Sequence, residues 1–221
     1  MQIINSLKLS ESLHQDIAYR MSEISKYEES ILERDTDFFL EKIRSGFCIV
    51  ALDKSSDISV NERLIGFLCL NRLENTVAEL SAGWIYKSYR SQGLYSKLKS
   101  KIIDLADSEG VKIIGTTKPK SGGTSALISS AKNGIFPVSF DYLKINHPQA
   151  FKSCCVCSKD RNHEKCDIRD IKCILSINEN IYEESEEFLR SGYEGDSINN
   201  QTKDIILNIL ERNKNEICKS I

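Results

Sequence analysis

The stretch YRSQGLYSKL, residues 89–98, stands between an apolar run, VAELSAGWIY (77–86), and a helical pattern that continues to Glu109. Leu94, Leu98, Ile102 and Leu105 recur on one helical stripe, and Gly110 supplies a stop. The run before the stretch is short, apolar and bounded by polar residues, which predicts a strand. A strand-to-helix junction is a place where an anion can bind. The first turn of a helix leaves backbone N–H groups without intrahelical acceptors and carries the positive end of the helix dipole. Together these favour a phosphate or pyrophosphate. Gly93 would let a ligand approach the backbone closely, and Arg90 would add a fixed positive charge. The same residues also suit an ordinary turn facing water, and R-x-x-G alone does not separate the two.

Outward from the junction, the pattern is mixed α/β. QIINSL (2–7) predicts a first strand, and SESLHQDIAYRMSEISKYEESIL (10–32) a helix with Ser10 as N-cap. Asp35 or Thr36 caps a second helix that stops near Gly46. FCIVALD (47–53) and RLIGFLCLNRL (63–73) read as strands joined by a polar, hairpin-like connection. After the central helix come a buried strand, VKIIGTT (111–117), a loop with Pro and two Gly, and a short helix, SALISSAKNG (125–134). IFPVSFDYL (135–143) reads as a further strand, with Pro137 marking an edge or a break. Beyond about residue 150 the chain turns Cys-rich and charged. A returning strand, CILSINE (173–179), an acidic helix and an amphipathic C-terminal helix with Ile205, Ile206, Ile209, Leu210 and Ile217 on one side follow. An antiparallel meander thus feeds one crossover helix. The expected organisation is a core over 1–145, a Cys-rich loop and returning strand over 146–178, and a helical extension over 179–221.

Composition narrows the function classes. The net charge of −2 offers no basic excess for nucleic acid. No apolar run approaches the ~20 residues that span a bilayer. MQIINSLKLS lacks the basic start and apolar core of a secretory signal, so a cytoplasmic protein is the expectation. The eight Cys then suggest metal before disulfides, because cytosolic thiols are kept reduced.

The succession AELSAGWIYKSYRSQGLYSKLKSKIIDLA (78–106), VKIIGTT and SALISSAKNGIFPVSF resembles the acetyl-CoA-dependent N-acetyltransferases of the GNAT superfamily. The likeness covers roughly residues 1–145 and is most specific over 76–140. It implies a GNAT-like, mostly antiparallel central sheet flanked by helices. It further implies that backbone N–H groups of Arg90, Ser91, Gln92, Gly93, Leu94 and Tyr95 hold the CoA pyrophosphate. The strand at Trp84, Ile85 and Tyr86 would pair with pantetheine, and Ala82-Gly83 would mark the splay that receives the acetyl group. Two positions depart from the family pattern. Tyr95 stands where the loop usually ends in Gly or Ala, and Ser130 stands where the family often has a Tyr acid.

Acetyl transfer to an amine needs a proton acceptor for the amine and a donor for the developing oxyanion. Glu79 is the candidate base, four residues before Gly83, where related enzymes often place a carboxylate acting through water. Strand alternation puts Glu79, Ser81 and Gly83 on one face, so Ser81 could position that water. Glu79 also reads as an exposed strand residue paired with a Lys. Tyr142 and Tyr86 are candidate acids in place of the missing one, and both also read as packing aromatics. His14, His147 and His163 are far apart in sequence and form no catalytic pattern.

Cys154, Cys157, Cys166 and Cys173 could close a tetrahedral structural zinc site, with Cys155 and His163 as spare ligands. Reduced or redox-active thiols are the other reading. Cys48 and Cys69 lie in apolar strands and read as core. The sequence therefore predicts an N-acetyltransferase that uses acetyl-CoA and a primary amine, a small molecule or amino acid, by direct transfer in a ternary complex. No membrane or nucleic-acid partner is expected, and the C-terminal helix could serve a homodimer. The competing reading is a non-catalytic CoA-binding or zinc-stapled interaction module.

Overall fold

The computed structural model describes residues 1–28, 31, 33–53, 63–74, 76–117, 124–148, 174–191 and 198–220. Among the described residues are seven strands: β1 (Gln2–Asn5), β2 (Cys48–Leu52), β3 (Leu64–Glu74), β4 (Val77–Ile85), β5 (Lys112–Thr117), β6 (Phe136–Val138) and β7 (Ile174–Ile177). They form a sheet in the order β1-β2-β3-β4-β5-β7-β6. The described helices are α1 (Glu11–Tyr27), α2 (Thr36–Arg44), α3 (Leu94–Ser108), α4 (Thr124–Ala131), α5 (Phe140–Asn146), α6 (Tyr182–Arg190) and α7 (Asn200–Ser220). Pairings β1/β2, β2/β3, β5/β7 and β6/β7 are antiparallel. The contacts of Lys112 with Thr76 and of Thr116 with Glu79 advance in the same direction, so β4 and β5 run parallel. Parallel neighbours need a crossover, and α3 lies in that connection. Among the described residues no helix is long and apolar enough to cross a membrane.

The chain forms two compact units, Met1–Arg72 with Leu80–Gly110, and Leu73–Glu79 with Val111–Ile221. In the first, α1 and α2 bring Ile17, Ala18, Met21, Phe39 and Ile43 onto Cys48, Val50, Phe67, Cys69, Ala82 and Trp84. Cys48 and Cys69 face each other in register, fully buried, with sulfurs 3.4 Å apart, which makes them core thiols. Asp35 caps α2 by accepting from the Phe38 N–H at 2.8 Å. Ser10 occupies the N-cap position of α1, but its hydroxyl makes no cap bond and meets Ser12 instead.

The opposite face of β3 and β4 in this unit receives α3. Its buried residues are Leu94, Leu98, Lys99, Ile102 and Ala106. The predicted stripe ends at Ala106, not Leu105, and it includes a lysine. Close approach is possible because β3 and β4 carry glycine there. A Cβ at Gly66 would stand 2.7 Å from Ile85 Cδ1 and 3.0 Å from the Trp84 carbonyl oxygen.

In the second unit, β5, β6 and β7 share a core with α4, α6 and α7 that includes Ile114, Leu127, Phe136, Ile177, Phe188, Ile206 and Leu210. The predicted strand over 135–143 is corrected here. Only Phe136–Val138 is strand, and Tyr142 lies on α5. Ser139 explains the change, since its hydroxyl accepts from the Tyr142 N–H at 3.1 Å and starts a helix whose Phe140 and Leu143 are buried. Pro137 fits β6 because β6 is the edge strand of the sheet.

Gly66→Ala should therefore destabilise the protein by about 1–3 kcal/mol, since the new methyl meets backbone and a core side chain. Denaturant unfolding checks this. An unchanged midpoint would mean that α3 does not depend on that close contact.

Candidate functional site

The junction at 89–98 is a compact double turn. After β4, the Tyr86 N–H donates to the Ile65 carbonyl at 2.8 Å, and Lys87–Tyr89 form one 3-10 turn. Ser91 and Gly93 both adopt left-handed conformations, at φ 63° and 73°. For Gly93 this is the reason for glycine, since other residues are strained there. Gly93 is the N-cap of α3 and makes no side-chain cap bond. The first intrahelical bond runs from the Lys97 N–H to the Gly93 carbonyl at 3.1 Å. The N–H groups of Leu94 and Tyr95 thus precede the helical ladder. Among the described residues, the two chain neighbours of Gly93 aside, no atom lies within 4 Å of where a Gly93 Cβ would stand, so these residues leave the approach to this turn open. The Arg90 N–H differs from the expected cradle donors, since it already donates to the Lys87 carbonyl at 3.3 Å.

Arg90 has found partners of its own. Its Nε donates to the Ile85 carbonyl at 2.9 Å and its Nη2 to Glu28 Oε2 at 3.0 Å. The same Glu28 oxygen accepts from Trp84 Nε1 at 3.0 Å. Trp84 continues an aromatic series, with Phe67 at 6.0 Å and Tyr86 at 5.9 Å between ring centroids. Trp84 and Ile85 are buried, whereas Tyr86 is half exposed. Tyr89 is held by a bond from its hydroxyl to Asp53 Oδ2 at 2.7 Å.

Tyr95, the departure from a small residue, turns away from the open side of the loop. Its hydroxyl lies against Gly83, 3.0 Å from where a Cβ would be, with Leu68 Cδ1 at 2.7 Å. The ring fills space between α3 and β4 and leaves the start of the helix uncrowded. Burial pushes its phenol up to about 12. One turn on, the Lys99 Nζ lies 4.8 Å from the Tyr95 ring centroid, and Lys99 is 1 % exposed. Burial pushes its ammonium down from the usual 10.5 to about 7.

Ser81 donates to the Cys69 carbonyl at 3.4 Å, in the first unit. Glu79 belongs to the second unit, is 4 % exposed, and accepts from Thr116 Oγ1 at 3.2 Å. The reading of Glu79 as an exposed strand residue is thereby overturned. Tyr142 is not brought to Glu79. Its hydroxyl donates to Glu179 Oε2 at 3.1 Å, and the same oxygen meets His147 Nε2 at 3.1 Å. Glu179 follows Asn178, whose N–H bonds to Ile113 near the start of β5, whereas Thr116 lies toward its end. Burial and the Glu179 carboxylate push the Tyr142 phenol up to about 12. His14 is buried on α1, away from this group in sequence, and neither of its ring nitrogens has a hydrogen-bond partner among the described residues. Cys154, Cys157, Cys166, Cys173, Cys155 and His163 lie outside the described residues. Among the described residues no group of three or more His, Cys, Asp or Glu side chains could hold a metal.

Residues 14–125, just over half of the chain, match the profile of the Acetyltransferase (GNAT) family. The chain belongs to that family. Solved structures share the fold. A GNAT-family acetyltransferase from Staphylococcus aureus Mu50 is 19 % identical with a TM-score of 0.51, over 80 % of this chain and 96 % of that one. The NatC complex bound to Gag peptide and CoA contains a chain 14 % identical with a TM-score of 0.52, over 80 % of this chain and 98 % of that one. N-acetylglutamate synthase from Neisseria gonorrhoeae, complexed with coenzyme A and N-acetyl-glutamate, is 15 % identical with a TM-score of 0.51. That match covers 80 % of this chain and 34 % of that one. No curated protein matches the sequence.

In this GNAT protein, sequence reasoning missed Glu28 and Lys99. Glu28 is 56 residues from Trp84 and 62 from Arg90, so no local spacing could reveal it. Lys99 was within reach, because it lies four residues after Tyr95 and beside Leu98 on the buried stripe. Its burial gives a pH signature. The unfolded chain holds the Lys99 proton up to about pH 10.5, whereas the folded chain releases it near 7. Folding is therefore favoured increasingly as pH rises through that window. The unfolding midpoint should rise more steeply between about pH 7 and about pH 10 in the wild type than in Lys99→Met. Parallel curves in thermal denaturation would show that Lys99 is protonated in both states.

Proposed function

We propose that this GNAT protein binds acetyl-CoA with its pyrophosphate at the start of α3 and transfers the acetyl group to a primary amine. Direct transfer in a ternary complex is the mechanism that the family resemblance implies for it. The observation that carries the reading is the uncapped first turn of α3 within the family's R-x-x-G loop. Leu94 and Tyr95 offer N–H donors there, the left-handed Gly93 leaves the approach open, and Tyr95 is folded away from it.

The chain's own residues supply the rest. In the proposal, Glu79 accepts the proton that the ammonium must lose, through water, and Thr116 orients its carboxylate. A buried base of this kind acts on an amine already held beside the thioester. A backbone N–H of β4 near Gly83 stabilises the developing oxyanion. Tyr142, whose hydroxyl donates to Glu179, is given no step here. A small-molecule or amino-acid acceptor is preferred to a protein one because the sequence shows no recognisable protein-docking module. The C-terminal helix remains the candidate homodimer contact, and a cytoplasmic location follows from the sequence expectations. The zinc reading rests on the spacing of Cys154, Cys157, Cys166 and Cys173 alone. Elemental analysis of the purified protein tests it, with about one zinc per chain as the supporting result.

Titration calorimetry with acetyl-CoA tests the cradle. Gly93→Asp forces a side chain into left-handed backbone and sets a carboxylate at the positive end of α3, so binding should weaken at least about tenfold. Arg90→Glu should weaken it similarly. Unchanged binding in both variants would place the cofactor elsewhere. With an accepted amine in hand, Glu79→Gln should lower kcat by about a hundredfold and leave acetyl-CoA binding intact.

A further inference from the structure

The cradle loop is tied to the end of α1 through Glu28. Glu28 follows the last turn of α1, with its N–H bonded to the Ile24 carbonyl at 3.0 Å. Its Oε2 accepts from Arg90 Nη2 and from Trp84 Nε1, each at 3.0 Å. Arg90 is the charged residue of the loop, yet its guanidinium faces Glu28 and the Ile85 carbonyl. The pair is 47 % exposed on the Arg90 side and 29 % on the Glu28 side. Water and salt reach it, so it is held weakly. A pyrophosphate has more charge and offers bidentate geometry to a guanidinium, which makes it the stronger partner.

We propose that Glu28 competes with the cofactor's pyrophosphate for Arg90, so that filling the cradle loosens the Glu28–Arg90–Trp84 contact at the end of α1. Glu28 is then a residue that sets cofactor affinity and reports cradle occupancy to the segment between α1 and α2. The inference rests on the reading of the loop as a pyrophosphate cradle. Two groups that compete for one cation are linked reciprocally. Removing the carboxylate's charge strengthens phosphate binding by the factor by which phosphate weakens the ion pair.

Trp84 is the only tryptophan in the chain, so its emission reads the contact directly. Wild type, Glu28→Gln, Arg90→Met and the double variant are titrated with CoA, by tryptophan fluorescence and in parallel by calorimetry. Glu28→Gln keeps an oxygen for the Trp84 N–H and removes only the charge. It should bind CoA about two- to fivefold more tightly than wild type at low salt. That gain should vanish in the Arg90→Met background, and the saturable change in Trp84 emission should shrink there. If Glu28→Gln folds poorly, Glu28→Asp withdraws the carboxylate by one methylene and should shift affinity in the same direction. Equal or weaker binding by the Glu28 variants, with CoA still bound by wild type, overturns the competition and leaves the cradle standing. A gain that persists in the Arg90→Met background also overturns it. Failure of all four proteins to bind CoA overturns the competition and the cradle together.

Discussion

Helix α3 reaches the sheet because Gly66 and Gly83 carry no side chain. At each position a single methyl would fall within 2.7 Å of a neighbouring leucine or isoleucine terminus. That absence lets Leu98 pack close to β3, and it gives the Tyr95 ring a place against β4. The position of the whole junction follows. With Tyr95 drawn inward against Gly83, its own ring does not crowd the N–H groups of the first turn of α3. The family's usual solution is a small residue at that point. Here the bulk is accepted and turned to packing, and the two strand glycines make room for it.

Polar groups around the junction in the first unit meet partners both distant and local in the chain. Arg90 answers to Glu28, Tyr89 to Asp53, and Lys99 lies over the Tyr95 ring. Of these three, only Lys99 is fully buried, and desolvation makes its ammonium costly to charge. Arg90 keeps its proton, so its charge persists whether or not an anion is beside it. Glu28 meets it in the free protein. The second unit holds its own polar group, Tyr142–Glu179–His147, beside the start of β5. It is separate from the Glu79–Thr116 contact toward the other end of that strand.

Much of the architecture was legible in local pattern. The strands at 48–52, 64–74, 77–85, 112–117 and 174–177 and the helices beginning near 11, 36, 94, 182 and 200 follow runs whose period, caps and stops agree. The segment 135–143 misled because Ile, Phe, Val and Phe suggest a strand, while Ser139 caps a helix inside it. The buried state of Glu79 was not legible either. Alternation assigns a residue to a face, but only the neighbouring strand decides whether water reaches that face.

By itself, the sequence determined the order of elements outside 135–146, the strand-to-helix junction at 89–98 and the family resemblance, because each rests on neighbours within a few turns. The tertiary structure alone decided where Tyr95 points, what holds Arg90 and which carboxylate is buried. Those outcomes depend on side chains that are tens of residues apart in sequence and meet only when the sheet has formed. A rotamer or an ion pair is selected by the space and charge it finds there, and no local spacing encodes either.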